Sequence, residues 1–406
     1  MKTTTENRVR RIIIRKSDPR YAQLRALTVR SAKLWNVALD RTRFSYQVNG
    51  KTTPFEHLDK ELASESNEAY RALPAKVSKM VLRDYYAAMA SFFKLLACKR
   101  SGEYRRRVNL PGRANEHTGR AVTFTKQAVN NGSRDTSFKI GLPADKVELD
   151  AGIPKSDVQF VRVVPRSGHL VVEVGVRVKI LIGAAKSTDR VAFVDPGMNN
   201  VMTVTSNVFS PLLYSGRKLK STCLFYIDRA AMLQKSGQST HGHILWTRRS
   251  LEVSRQCHEM TNHLVDVLVQ NRMDMLIFGH NKGMKTGINL GCEINKSFGS
   301  MPIATIIDQL SYKLRAAGIE MVITEESHTS KCSFLDAEEI CHHDKYAGSR
   351  VKRGLFKASS GKAINADVNG SLNIGRKYLT KVGLYTEELD RQLRAAMHNP
   401  RVVKTY

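Results

Sequence analysis

No stretch of the 406 residues comes near the roughly 20 consecutive apolar side chains that a membrane-crossing helix needs. The opening segment has only Ile12, Ile13 and Ile14 as an apolar run, so it does not read as a secretory leader. Cysteine is sparse. The six, at 98, 223, 257, 292, 332 and 341, include no Cys-x-x-Cys pair. Free thiols in a reducing compartment suit them better than a disulfide framework. Carboxylates are the other shortage: 37 Asp and Glu stand against 65 Lys and Arg, for a net charge of +28. Internal repeats and low-complexity blocks are absent too.

Hydrophobic residues make up 42% of the chain, enough to build two or three globular cores. The surplus of positive charge points to a polyanion as partner, since each phosphate neutralised by Lys or Arg releases counterions. It is unevenly spread: residues 1–120 hold 26 basic and 11 acidic side chains. The densest patch is Lys99, Arg100, Arg105, Arg106, Arg107 and Arg113.

Periodicity divides the chain into three parts. Arg8–Lys16 reads as a short basic strand. From Tyr21 to about Arg100 the apolar spacing is helical, with Leu24, Leu27, Leu34, Val77, Val81, Tyr85 and Phe92 among the inward positions, and predicts three or four helices. From Asn109 to about Lys179, short β-branched runs alternate with Gly, Pro, Asn and Asp turns and predict a small β-barrel that the N-terminal strand joins. Residues 182–189 read as a linker. Beyond Arg190, strands at Arg190–Val194, Asn200–Thr205, Leu212–Ser215, Met275–Phe278 and Glu320–Thr324 alternate with helices, which argues for an α/β layer. A long helix is expected from about Cys223 to Asn271, interrupted near Gly237–Gly242. The basic tail from Arg391 to Tyr406 is expected to be disordered.

Acidic positions in the last part sit where strands end or helices begin. Asp195 follows Val191-Ala192-Phe193-Val194 and precedes a Gly-containing turn. Glu325-Glu326 ends the strand of Met321–Thr324. Asp367 opens a helix in Asn365-Ala366-Asp367-Val368-Asn369-Gly370-Ser371-Leu372-Asn373. Singly, each reads as a turn or cap residue. Together, in so basic a chain, they suit a hard divalent cation that takes a few carboxylates and keeps water and phosphate as its other ligands. Two such ions about 4 Å apart drive phosphodiester hydrolysis.

Val194-Asp195-Pro196-Gly197-Met198-Asn199-Asn200 resembles the first RuvC motif of the TnpB family. His328-Thr329-Ser330-Lys331-Cys332-Ser333 resembles its Tyr-Thr-Ser-x-x-Cys segment, and Ile364–Ile374 its third RuvC motif. The resemblance is specific from about 190 to 380 and general before that. Such proteins are transposon-encoded, RNA-guided RuvC-type DNA endonucleases related to the type V CRISPR effectors.

The resemblance implies a bilobed protein. An α/β RNase H-like (RuvC) nuclease domain would span 189–406, with a target-nucleic-acid-binding insert at 325–362. A β-barrel wedge domain would be formed by 1–16 and 108–188, and a helical recognition insertion by 17–107. It implies guide RNA and target double-stranded DNA as partners, a monomeric ribonucleoprotein, a cytoplasmic (nucleoid-associated) location in a prokaryote, and two Mg²⁺ or Mn²⁺ ions. Arg105, Arg106, Arg107, Arg248, Arg249, Lys331, Arg350, Lys352 and Arg353 are the expected nucleic-acid contacts. Arg248 and Arg249 share a helix with Trp246, which reads equally well as a base-facing or a buried residue.

Two departures stand out. The family's second-motif Glu should end the strand Met275–Phe278, but Gly279-His280-Asn281-Lys282-Gly283 occupies that place instead. A branch of the family shares this gap and carries Glu-Glu-Ser before Thr-Ser-Lys-Cys-Ser, as Glu325-Glu326-Ser327 does here. Strand alternation sends the two glutamates to opposite faces. One of them, with Glu326 placed ahead of Glu325, is therefore the expected ligand beside Asp195 and Asp367, the candidate catalytic carboxylates. Second, the family's two Cys-x-x-Cys pairs are replaced by Cys332, Cys341, His342 and His343, so no structural zinc is expected. The missing Glu leaves a catalytically inactive guided DNA-binding protein as one alternative. An unguided RNase H-like nuclease or transposase is another.

Overall fold

The computed structural model describes residues 2–182, 189–281 and 291–404. The expected linker at 182–189 therefore lies largely outside the described residues, as do Lys282 and Gly283. Two compact units result, Thr4–Ile180 and Leu181–Tyr406 with the first three residues.

In the first unit, strand β1 (Lys2–Arg15) leads into helices α1 (Tyr21–Asn49), α2 (Phe55–Ser64), α3 (Glu68–Arg71) and α4 (Ala75–Arg100). Strands β2 (Val122–Thr125), β3 (Asn130–Asn131), β4 (Ser137–Leu142), β5 (Asp145–Asp150), β6 (Val158–Arg166) and β7 (His169–Ile182) come next. The strands do not close into one hydrogen-bonded barrel. They form two sheets, β1-β7-β6-β2 and β3-β4-β5. Helices and strands share a single core: Leu24, Leu34, Trp35, Val81 and Tyr85 belong to the same buried cluster as Val122, Phe124, Phe138, Val161 and Val172. The segment between α4 and β2 is strapped over α1. Trp35 Nε1 donates to the Gly112 carbonyl (3.0 Å), and Asn36 exchanges hydrogen bonds with the backbone of Ala114.

In the second unit, β8 (Val191–Asp195), β9 (Asn200–Ser206) and β10 (Leu212–Ser215) form an antiparallel meander. Helices α5 (Arg217–Lys235) and α6 (Ser239–Gln270) then return the chain to β11 (Met275–Gly279), parallel to β8. Gly237, at φ +76°, lies in the break between the two helices, close to where the sequence placed an interruption. Helices α7 (Cys292–Ser300) and α8 (Ile303–Ala317) precede β12 (Glu320–Thr324), parallel to β11. A small sheet, β13 (Ser349–Lys352), β14 (Leu355–Lys357) and β15 (Ala363–Asn365), leads into α9 (Ala366–Lys381) and α10 (Glu387–Ala396). The described part of the tail, up to residue 404, holds regular structure where disorder was expected. Strand β16 (Arg401–Val403) pairs parallel with β10, and its hydrogen-bonding groups gain partners that a free tail would lack. The main sheet therefore runs β12-β11-β8-β9-β10-β16.

Both faces of this sheet are covered, as the unbroken apolar runs of β8 and β11 require. Ala192, Val194, Leu276 and Phe278 share a buried cluster with residues of α5, α6 and α8. Val191, Phe193, Met275 and Ile277 share another with Val368, Leu372 and Ile374 of α9 and with Leu389 and Leu393 of α10. Gly375 lets α9 approach closely, since a Cβ there would lie 2.4 Å from the Phe193 ring. Among the described residues, no helix is long and apolar enough to cross a membrane.

Candidate functional site: a carboxylate cleft at the strand ends

The alternation that puts Phe193 and Ile277 toward α9 also sets the direction of the residues at the strand ends. Asp195 and Gly279 emerge on the same face. Carried two residues beyond β12, the same rule sends Glu326 to this face and Glu325 away from it.

The side chains obey that rule. Glu325 is half exposed, with Lys377 Nζ at 2.5 Å from Oε2 and the Ser327 N–H at 2.7 Å from Oε1. Burial pushes its carboxyl up, but Lys377 and the Ser327 amide outweigh that and leave it below the usual range. Glu326 turns inward, its backbone held by Asn281 Oδ1 (3.0 Å from the amide) and by Thr329 Oγ1 (2.8 Å from the carbonyl). It occupies the space that a side chain at 279 would take, because a Cβ on Gly279 would lie 2.8 Å from Glu326 Oε2. That oxygen is buried and has no hydrogen-bond partner among the described residues. Burial, together with the charge of Glu325, pushes the Glu326 carboxyl up to about 7, with Lys377 opposing.

Asp195 is partly buried at the end of β8. Burial, then the charges of Glu326 and Asp367, raise its carboxyl well above the usual range, with only Arg350 opposing. Asp367 enters from α9. Asn365 caps that helix, its Oδ1 accepting from the amides of Asp367 (3.0 Å) and Val368 (3.1 Å). The carboxylate of Asp367 is held between Asn200 Nδ2 (2.9 Å) and Arg350 Nη2 (2.8 Å). One turn along, Gly370 faces Asp195, and a Cβ there would lie 2.5 Å from Oδ2. Gly370→Ala must therefore displace Asp195 or the helix. A chain that still folds, shown by an unchanged circular dichroism spectrum, with at least tenfold weaker divalent-ion binding by calorimetry, is the expected outcome.

Asp195, Glu326 and Asp367 line one cleft of about 870 Å³, together with Arg217, Arg350 and Arg353. Two partly buried carboxylates with raised pKa values, one with an oxygen that has no hydrogen-bond partner among the described residues, offer ligands to a cation that would hold them ionised. The oxygen donors and the room for water suit a hard divalent ion. In this arrangement, however, no three His, Cys, Asp or Glu side chains among the described residues are grouped closely enough to hold one ion. The positive charge at Asp367 comes from Arg350.

The basic residues expected to touch nucleic acid are distributed unevenly. Arg350 and Arg353 rim the cleft, and Arg353 donates from Nε and Nη2 to the Asn199 amide oxygen at 2.9 and 2.8 Å. Lys331 lies over the Tyr346 ring, 5.8 Å from its centroid. Lys352 and Arg248 are exposed. Arg249 donates to the Ser300 carbonyl and lies 5.5 Å from the Trp246 ring centre; that ring is 37% exposed, so it is not a buried core residue. Arg105, Arg106 and Arg107 are exposed on the other unit. Cys332 is buried, its thiol toward the Cys341 carbonyl, while Cys341 Sγ lies 3.3 Å from His343 Nε2.

Sequence reasoning missed the glycines and amides that build the site. Gly279 and Gly370 act by lacking a side chain, which no periodicity reveals. Asn369 and Asn373 clamp the Thr329–Phe334 segment onto α9: their Nδ2 groups donate to the Cys332 carbonyl, Asn373 also to that of Thr329, and Asn369 Oδ1 accepts from the Phe334 amide. Their spacing of four was the available signal, since it puts both on one helix face.

A family model described as Cas12f1-like, TNB domain matches residues 304–374, which include Glu325, Glu326, Arg350 and Asp367. Over 428 residues, the chain is 23% identical to the TnpB-like protein ORF457 of Acidianus two-tailed virus, covering 94% of this chain and 88% of that protein. A cryo-EM structure of a Cas12f1–sgRNA–target DNA complex matches with a TM-score of 0.53 at 14% identity, covering 86% of this chain and 81% of that one. The chain is thus similar over most of its length to a TnpB-like protein, and in fold to the Cas12f1 chain of that complex.

Proposed function

We propose that the chain is an RNA-guided, divalent-metal-dependent DNA endonuclease, with the second unit as an RNase H-like (RuvC) nuclease domain. The observation that carries this is the convergence of Asp195 and Glu326, two partly buried acids whose carboxyls are pushed up by desolvation and by neighbouring carboxylates, on a cleft rimmed by arginines. Without a cation such groups are held toward the protonated form, and a bound divalent ion would stabilise their ionised form. The central strand order, a three-strand antiparallel meander flanked by two parallel strands, supports the RNase H-like assignment. Residues 1–16 and 108–188 are assigned to a wedge and 17–107 to recognition of the guide–target duplex.

In this reading, Asp195, Glu326 and Asp367 hold two Mg²⁺ or Mn²⁺ ions. When bound, the ions would lower the pKa of a water nucleophile and neutralise charge on the scissile phosphate. The protein's own part is placement. Asn365 and Asn200 orient Asp367, and Asn281 and Thr329 fix the turn that aims Glu326 over Gly279. Arg353 and Arg217 supply positive charge where the phosphodiester enters. Pairing of guide and target selects the sequence, while the protein grips the backbone.

The Arg350–Asp367 ion pair and the absence of a close carboxylate trio among the described residues favour one alternative, a guided DNA-binding protein that does not cut. Coexpression with the downstream genomic flank, then incubation with a plasmid library of randomised flanks, with and without Mg²⁺, separates the two. The nuclease should make metal-dependent cuts beside a short motif, lost on RNase treatment of the guide. RNA-dependent binding with no cut under any divalent ion would favour the alternative.

A further inference from the structure

The first unit carries a second cleft that the nuclease reading does not use. It opens between α1 and α4, measures about 630 Å³, and is lined mostly by apolar side chains with no carboxylate among them. Tyr46, Phe92 and Phe93 give it aromatic walls. Tyr46 and Phe93 stay 60% and 49% exposed, although either ring would gain by burial. Arg43 and Arg100 stand in the lining, and neither has an ion-pair partner among the described residues. Gln47 adds an exposed amide.

A soluble protein rarely leaves such aromatic surface open without an occupant. The charge narrows the choice. An apolar ligand alone leaves two arginines unused, and an acidic peptide leaves the aromatic walls unused. An unpaired nucleotide uses both, because every base offers a π-face while its flanking phosphates meet the guanidinium groups. Immediately beyond α4, exposed Arg105, Arg106 and Arg107 extend the positive surface. We propose that this cleft holds a single unstacked base of a nucleic-acid strand, sandwiched by Tyr46 and Phe93, with Arg43 and Arg100 on the adjacent phosphates. The inference rests on nucleic acid being the partner, but not on the chain being a nuclease.

The test uses the full chain and 20-nucleotide single-stranded oligonucleotides, in DNA and RNA arms, each carrying one 2-aminopurine. Stacking should change its fluorescence on binding, and the arm that responds identifies the strand. Tyr46→Ala with Phe93→Ala should weaken binding roughly tenfold and remove the fluorescence change while leaving the salt dependence unaltered. Arg43→Gln with Arg100→Gln should instead flatten the salt dependence, by about 1.4 in log–log slope for two phosphates on a single strand. Unchanged affinity and unchanged fluorescence in the aromatic variant, with oligonucleotide still bound, overturns the cleft assignment alone. Failure to bind any oligonucleotide overturns both this assignment and the nucleic-acid reading. A doubling of mass in light scattering that Phe93→Arg abolishes makes the cleft a self-association surface, and also overturns it.

Discussion

Asp195→Asn is expected to abolish DNA cleavage, by about a thousandfold or more, and at the same time to stabilise the metal-free protein. The two effects have one origin. Asp195 is partly buried at the end of β8, and desolvation raises its pKa before Glu326 and Asp367 raise it further. A carboxyl whose folded pKa exceeds its unfolded value contributes stability only at low pH, and that contribution is lost as pH rises through the folded pKa. At neutral pH the ionised form is therefore a strain on the native state, and an isosteric amide removes it. On the proposed two-metal reading, the same change would remove a ligand from ions that stabilise the transition state by several kcal/mol, which would be the source of the thousandfold loss. Melting temperature in EDTA, beside the cleavage rate in Mg²⁺, reads both effects. A variant less stable than wild type in EDTA at pH 8 would contradict the assignment of Asp195 as a carboxyl whose ionisation the fold disfavours.

Glu326→Gln should be nearly as severe, whereas Glu325→Gln should keep most activity. Glu326 alone turns toward Asp195 over Gly279, while Glu325 is bound to Lys377. The pH dependence gives a second discriminator. With its carboxyl pushed up to about 7, Glu326 is largely protonated at pH 6 and ionised at pH 8. Its folded pKa is raised, so its contribution to metal-free stability is full below pH 4.5 and fades as pH climbs through about 7. A divalent ion binds the ionised form, so the rise in melting temperature caused by 10 mM Mn²⁺ should grow between pH 6 and 8. Glu326→Gln should flatten that growth, and Glu325→Gln should not. Equal flattening by both would place the ligand outside this pair.

Much of the second unit could be read from the chain because its signals are local. Four β-branched, aromatic or small apolar residues before Asp195 make a strand, and Asn365 before Ala366-Asp367 makes a capped helix. The fate of Glu325 and Glu326 depended on alternation, which distinguishes two faces without saying which is inward. What could not be read was tertiary. Gly279 and Gly370 matter through the atoms they lack, and Arg350 reaches Asp367 only because β13 pairs with β14 in the small sheet that leads into α9. The tail strand Arg401–Val403 is short and basic, and it is a strand because β10 offers it an edge. In the first unit, the turn-rich runs predicted strands but not their closure, and the chain forms two sheets in place of a barrel.

The most direct measurement is plasmid cleavage by the purified ribonucleoprotein in Mg²⁺, comparing wild type, Asp195→Asn, Glu326→Gln and Glu325→Gln, with target binding measured in parallel. A nuclease built on Asp195, Glu326 and Asp367 predicts cutting by wild type and Glu325→Gln, none by the other two, and unimpaired target binding by all four. Wild-type binding without cleavage, or cleavage by Glu326→Gln at the wild-type rate, would contradict it.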